Sequence, residues 1–147
     1  MRSAWIFAET ALQAEIPDPI GYPREPASVG EHIKKMRLDR GLLQREVARL
    51  VGVCTHTIRN WEAGASQPTI RHYPDVIRFL GYDPNGEPRN LAETLLSIRR
   101  EKGWSLDEFA KVLDVWPDTI SGWEQQAHRP KGGPRRRLLA FLEKEGV

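Results

Sequence analysis

The stretch from Gln44 to Glu62 has apolar residues at helical spacing on both sides of a single glycine. Gly52 interrupts the pattern, and glycine enters the left-handed conformation that ends many helices at little cost. Three apolar residues precede this glycine and two follow it, each set on one helical face: Val47, Ala48, Val51, Ile58 and Trp61. The spacing therefore predicts two short helices joined by a tight turn.

The second of these helices has a polar outer face. Ile58 and Trp61 point inward, which leaves the residues around them exposed: Thr55, His56, Arg59 and Asn60. Asn pairs bidentately with adenine, Arg pairs with guanine, and Thr offers a methyl or a hydroxyl group to a base edge. Two helices joined at a glycine turn, with a polar second helix, are typical of a helix-turn-helix motif whose second helix enters the DNA major groove.

The segment from Ser28 to Leu80 resembles the helix-turn-helix domain of phage Cro and repressor proteins, the XRE type. The resemblance depends on residues in register along this segment: Gln44, Arg45, Glu46, Val47, Ala48, Gly52, Val53, Ile58, Trp61, Glu62, Gly64 and Pro68. It implies that the residues matching Thr55, His56 and Asn60 read bases, and that Arg59 reads a base or reaches a phosphate.

The resemblance also implies that Gln44 binds a backbone phosphate at the positive N-terminus of its helix. We expect further phosphate contacts from polar and basic residues nearby: Arg45, Ser66, Gln67 and Arg71. The alternative for each is an ordinary solvated side chain.

Two pairs of opposite charge have the same separation along the chain. Arg37 precedes Glu62 by 25 residues, and Arg99 precedes Glu124 by 25. The resemblance implies a salt bridge from the first helix to the end of the third in each case, and arginine can bind a carboxylate with two parallel hydrogen bonds. We therefore predict two structural salt bridges.

The chain repeats itself after 62 residues. Residues 33–80 and 95–142 share 13 identities over 48 positions without a gap, among them Gly41 with Gly103, Trp61 with Trp123 and Pro68 with Pro130. An internal repeat of this kind usually means that one structural unit is used twice. We call residues 28–83 the first repeat and residues 91–147 the second repeat.

The second repeat departs from the pattern at the positions that would read bases. Pro117, Asp118 and Gly122 stand where the first repeat has Thr55, His56 and Asn60, and Leu106 replaces Gln44. Basic residues nevertheless follow and suit sequence-independent phosphate contact: Arg129, Lys131, Arg135 and Arg136. We predict that the second repeat is a scaffold, a dimerisation module or a phosphate clamp; alternatively, both repeats dock on successive half-sites, with Ser121 or Asp118 reading a base.

The N-terminal 27 residues form a separate region. Residues 1–16 could form a short helix, whereas residues 17–27 contain four prolines and predict an extended arm. The region is either a disordered tail or a segment that packs on the domain or on a partner subunit through apolar residues: Trp5, Ile6, Phe7, Ile20 and Tyr22.

Composition narrows the functional classes. Net charge is only +2, but residues 28–83 carry nine basic and six acidic side chains, whereas residues 1–27 carry two and four. No apolar run approaches the length of a membrane span. The lone cysteine, Cys54, excludes an internal disulfide and indicates a reducing compartment, and with four scattered histidines it forms no metal-ligand cluster.

The sequence thus predicts an all-α fold: an arm at 1–27, helix-turn-helix domains at 28–83 and 91–147, and a linker at 84–90. The expected function is sequence-specific binding of double-stranded DNA. We expect a bacterial or phage transcriptional regulator in the cytoplasm, a repressor rather than an activator. Such regulators usually bind as two-fold dimers, so we expect either a homodimer or a single chain that covers an asymmetric site. We expect no cofactor, no small-molecule ligand and no enzymatic activity, since no nucleophile with a base, carboxylate pair or phosphate-cradling loop is evident. The alternative is a protein–protein adaptor that keeps the fold without the DNA contacts.

Overall fold

The computed structural model describes residues 17–147, and in this part of the chain helices are the only regular secondary structure. The first repeat contains four α-helices: α1 (Val29–Asp39), α2 (Gln44–Val51), α3 (Thr55–Glu62) and α4 (Tyr73–Leu80). A 3₁₀ turn, Ile70–His72, leads into α4. The second repeat contains four more: α5 (Leu91–Lys102), α6 (Leu106–Leu113), α7 (Pro117–Glu124) and α8 (Gly132–Glu145). The predicted all-α fold is confirmed.

Each repeat encloses its own hydrophobic core. The first core is built around Ile33, Val47 and Ile58, which are fully buried, and the second around Leu95, Phe109 and Ile120. These residues recur at the helical spacing seen in the sequence, so each helix turns one apolar face toward its neighbours. Trp61 and Trp123 are both only 3% exposed and belong to these cores, which rules out a role for either ring as an open platform for stacking bases.

Two helix starts carry a variant of the capping box. The Ser28 hydroxyl accepts a hydrogen bond from the backbone N–H of Glu31, but the Glu31 carboxylate accepts from the N–H of Ala27 and not of Ser28. The same displacement by one residue occurs at Asn90, where the Glu93 carboxylate accepts from Arg89. Both arrangements still satisfy the free N–H groups of a helix start.

The segment before α1 packs on this helix through one of the two residues expected to do so. The Tyr22 hydroxyl lies 2.6 Å from the Asp39 carboxylate, and the ammonium of Lys35 lies 5.2 Å from the Tyr22 ring centroid. Ile20, in contrast, is fully exposed and does not pack on the domain; its packing on a partner subunit stays a prediction. The predicted helix within residues 1–16 and the packing of Trp5, Ile6 and Phe7 lie outside the described residues.

The two repeats contact each other directly. The guanidinium of Arg100 on α5 lies 5.6 Å from the centroid of the Tyr73 ring on α4, within the range of a cation–π interaction. Pro74 packs against Gly103, where an added Cβ would lie 2.9 Å from the proline ring. Between them, residues 84–90 form a short connection with a turn at Asp83, whose side chain accepts from the N–H of Asn85.

The two repeats also provide a matched test of capping. Ser105 caps α6 with a reciprocal box, since its hydroxyl accepts from Glu108 and the Glu108 carboxylate accepts from Ser105. Leu43 occupies the same position before α2, where only the Glu46 carboxylate contributes, and its side chain is 51% exposed. We expect Leu43→Ser to raise the free energy of unfolding by about 1 kcal/mol and Ser105→Leu to lower it by a similar amount. Denaturant titration of both variants measures the difference, and a destabilised Leu43→Ser protein would contradict the expectation.

Candidate nucleic-acid interface

The turn between α2 and α3 has the predicted geometry. Gly52 lies in the left-handed region at φ 77°, and the N–H groups of Gly52 and Val53 both donate to the carbonyl of Ala48, at 2.9 and 3.0 Å. This arrangement satisfies the last carbonyls of α2 and directs the chain into α3. Ile58 and Trp61 are buried on the inner face of α3, so the helix is held by the core with its opposite face outward.

The four predicted base-reading residues lie on α3 away from the core. His56 and Arg59 are exposed, whereas Thr55 and Asn60 are half-buried. None of the side-chain hydrogen bonds and salt bridges among the described residues involves any of the four. Their polar groups are therefore available to an incoming ligand, as direct base readout requires.

The arginines of the first repeat divide into two groups. Most have a partner: Arg37 binds Glu62, Arg78 binds Asp75, Arg71 faces Glu108, and Arg40 lies over the Phe79 ring. The remaining arginines have no salt bridge or cation–π contact within residues 17–147, and all of them lie on α2 and α3: Arg45, Arg49 and Arg59. Arg40 has only an uncharged ring as its partner, but all the other arginines of this repeat that lack a carboxylate partner lie on the two helices of the motif, where phosphate would neutralise their charge.

Gln44 joins the partly buried ion pair of Arg37 and Glu62, a contact that the sequence did not indicate. Arg37 donates from Nε and Nη2 to the two carboxylate oxygens of Glu62, at 2.6 and 3.0 Å, which confirms the predicted bidentate geometry. The amide of Gln44 then donates to Glu62 Oε2 at 2.9 Å. A glutamine amide has a second N–H and an oxygen left, so the phosphate contact predicted for Gln44 would be made by a side chain already oriented by Glu62.

Three of the other predicted phosphate residues of the first repeat lie beyond α3. Ser66 and Gln67 are exposed in the loop after α3, whose chain is held by the N–H groups of Ala65 and Ser66 donating to the carbonyl of Asn60. The guanidinium of Arg71 lies 3.7 Å from the carboxylate of Glu108 on α6 and is 71% exposed. Such an exposed pair is worth little, and it places Arg71 at the boundary with the second repeat.

In the second repeat the corresponding helix has a different face. Gly122, which matches Asn60, is buried because the imidazole of His128 lies directly over it, and an added Cβ would be 1.9 Å from the ring. Asp118 is exposed and Ser121 is half-buried. The face that matches the predicted base-reading face of the first repeat is thus partly covered here by a residue of the following loop, which the sequence pattern gave no means of anticipating.

The basic residues of the second repeat serve two different purposes. Arg137 donates to the carbonyls of Leu113 and Asp114, so it holds the end of α6. The four residues predicted to contact phosphate are exposed and take part in none of the salt bridges within the described range: Arg129, Lys131, Arg135 and Arg136.

The second repeat contains the other predicted salt bridge. Arg99 donates to the two carboxylate oxygens of Glu124 at 2.6 and 3.0 Å, the same bidentate geometry as in the first repeat.

Two exposed residues beside the recognition positions carry their own chemistry. Cys54 lies at the start of α3 with its sulfur 3.1 Å from the Thr57 hydroxyl, and this hydrogen bond lowers the pKa of the thiol. Trp116, the residue that matches Cys54, is 81% exposed and was not singled out from the sequence. Within residues 17–147 no cluster of His, Cys, Asp or Glu could hold a metal ion, and no helix is long and apolar enough to cross a bilayer.

Comparison with known proteins identifies the first repeat. Residues 33–86 match the model of the helix-turn-helix family. This match confirms the helix-turn-helix prediction for the first repeat, supports the resemblance to the XRE type, and indicates DNA binding and a role in transcription. The matched segment ends before the second repeat begins.

A curated relative shares part of the sequence. The chain is 33% identical over 70 residues to a protein of the yeast Yarrowia lipolytica named "Putative multi-protein-binding factor 1". The aligned region is 48% of this chain and 46% of the relative, so the chain spans about half the length of that protein. No solved structure matches.

Proposed function

We propose that this protein is a sequence-specific regulator of transcription that reads double-stranded DNA with the first repeat. The observation that carries the proposal is the position of the unpaired arginines. Arg45, Arg49 and Arg59 lie on α2 and α3 beside the free polar side chains of His56 and Asn60. Base-reading groups surrounded by uncompensated positive charge are what a major-groove reader requires.

The second repeat has a supporting role in this proposal. Its equivalent helix carries Asp118 and a covered Gly122, which are poor partners for DNA, whereas Lys131 and Arg136 remain exposed. We assign sequence-independent phosphate contact or dimerisation to this repeat. We assign repression to the whole protein, since a protein bound to DNA blocks other proteins from its site. The contact of α4 with α5 fixes where these charges lie relative to α3.

A test of the reader is selection of bound duplexes from a random pool. We expect the wild type to select a motif and the double variant His56→Ala, Asn60→Ala to lose it, because each bidentate base contact is worth about 1–3 kcal/mol of discrimination. The matched control replaces Asp118 and Ser121, the residues that match His56 and Arg59, with alanine and should select the same motif as the wild type. Loss of the motif only in this control would assign the reading to the second repeat.

The salt dependence of binding separates phosphate contacts from base contacts. Arg45→Ala and Arg49→Ala should each weaken binding to all sequences alike and reduce the slope of log K against log salt by about 1. Arg78→Ala is the matched control, since Arg78 is equally exposed but paired with Asp75. A symmetric selected motif would indicate a homodimer, and an asymmetric motif would indicate a single chain on its site.

A protein–protein adaptor is the second candidate function. The name of the yeast relative refers to binding of several proteins, and the position of His128 over Gly122 on α7 supports this alternative for the second repeat. If the wild type selects no motif and binds DNA without salt dependence, the adaptor function replaces the regulator function.

A further inference from the structure

The second repeat contains a cavity that plays no part in the DNA-reading surface. It has a volume of about 560 Å³ and lies between the start of α5, the end of α7 and the first half of α8. Three apolar core residues, Ala92, Trp123 and Leu138, form its floor. Leu91 and Leu139, which are 40% and 48% exposed, extend the apolar surface to the rim.

The first repeat closes the same place with its own side chains. There the ring of His72, which ends the 3₁₀ turn, packs on Trp61 at a centroid distance of 5.5 Å. In the second repeat α8 begins at Gly132, the position that matches Ile70, so the turn is absent and Pro134 stands in place of His72. No aromatic ring of the described residues packs on Trp123. The packing on the buried tryptophan beside the cavity is therefore a difference between two otherwise matched units.

The rim of the cavity is positively charged. Arg129 and Arg135 both line it, both are exposed, and neither has a salt-bridge partner among the described residues. The other polar residues on the lining are Asn90, Gln126 and His128, and no carboxylate contributes. An apolar floor below two uncompensated guanidinium groups suits a group that is apolar in its body and anionic at its edge.

We propose that this cavity is a docking site for an acidic peptide segment of a partner protein. A large apolar side chain of the segment covers Trp123 and Leu138, and its flanking carboxylates pair with Arg129 and Arg135. A peptide fits better than a free small molecule because Gln126, His128 and Leu139 leave the rim open to solvent, whereas small-ligand sites bury most of their ligand. The site goes beyond the DNA-binding proposal, since it uses neither α3 nor Gln44 and assigns Arg129 and Arg135, two of the residues predicted to contact phosphate, to the carboxylates of a peptide.

The test uses the full chain and a short fluorescent peptide in which glutamates flank one tryptophan and one leucine. Two control peptides replace the glutamates with lysine or the two apolar residues with alanine. In fluorescence anisotropy we expect the first peptide to bind at least about tenfold more tightly than either control, because both the charge and the apolar group are needed.

The variants Arg135→Glu and Arg136→Glu provide the matched comparison on the protein. Both residues are exposed on α8, but only Arg135 lines the cavity. Arg135→Glu should weaken binding of the peptide at least about tenfold, and Arg136→Glu less than about twofold. Equal loss in both variants, equal binding of the alanine peptide, or no binding at millimolar concentrations would each overturn the proposal. Selection of bound DNA from a random pool by the same two variants tests the DNA-binding proposal separately, since base reading is assigned to the first repeat and both substitutions lie in the second.

Discussion

Replacing Glu62 with alanine is expected to unfold the first repeat far more than it changes base preference. The Glu62 and Arg37 side chains are only 4% and 13% exposed, and the carboxylate accepts three hydrogen bonds, two from Arg37 and one from Gln44. Removal of the carboxylate leaves a guanidinium with little access to water, which costs about 3–5 kcal/mol in comparable buried pairs. Amide hydrogen exchange measures this loss separately in each repeat. The protection of a backbone amide against exchange reports the free energy of opening of the unit in which it lies.

The control for Glu62 is an ion pair of similar length on the surface. Arg78 lies 2.8 Å from Asp75, and the arginine is 75% exposed, so Asp75→Ala should cost less than about 1 kcal/mol. Glu124→Ala should destabilise the second repeat in the same way as Glu62→Ala affects the first, since Arg99 binds it with the same geometry. The prediction is wrong if Glu62→Ala and Asp75→Ala proteins exchange their first-repeat amides at the same rate.

Sequence reasoning succeeded where a residue's role follows from helical period or from a fixed offset. Val47, Ile58 and Trp61 are buried as their spacing requires, Gly52 has the left-handed conformation, and Arg37 meets Glu62. These features depend on the geometry of single helices and on one turn, which the periodicity of the apolar residues determines. The resemblance to a known family supplied the pairing of the two charges.

Features that depend on loops were not predictable in the same way. The position of His128 over Gly122 and the hydrogen bond from Gln44 to Glu62 arise from how chain segments approach in space, and no local pattern encodes such an approach. Ile20 was expected to pack because it is apolar, but the arm before α1 is held by Tyr22 and leaves Ile20 in solvent. An isolated apolar residue outside a periodic segment carries little information about burial.

Gly30→Ala is expected to be the most damaging small substitution in the first repeat. A Cβ at Gly30 would lie 1.7 Å from the carbonyl oxygen and 2.5 Å from the carbonyl carbon of Trp61. These are backbone atoms in the last turn of α3, so α1 and α3 would have to move apart, and the Arg37–Glu62 pair that joins the same helices would be strained. We expect a loss at or above the upper end of the ~1–3 kcal/mol that overpacking usually costs.

Gly122→Ala is the matched control. Its added Cβ would approach another atom almost as closely as the Cβ at Gly30, but that atom belongs to a side chain and not to the backbone. The contacts, at 1.9 to 2.7 Å, are all with the imidazole of His128, an exposed side chain in a loop. The ring can rotate away, and alanine is favoured over glycine inside a helix by about 1 kcal/mol, so the net effect should be near zero or stabilising. Denaturant unfolding of both variants decides the point, since equal destabilisation would mean that His128 is held as rigidly as the backbone of α3.

In the second repeat, Ala92 stands at the position that matches Gly30, on the floor of the cavity. The second repeat thus accommodates a Cβ at the position where the backbone of α3 leaves no room for one in the first repeat.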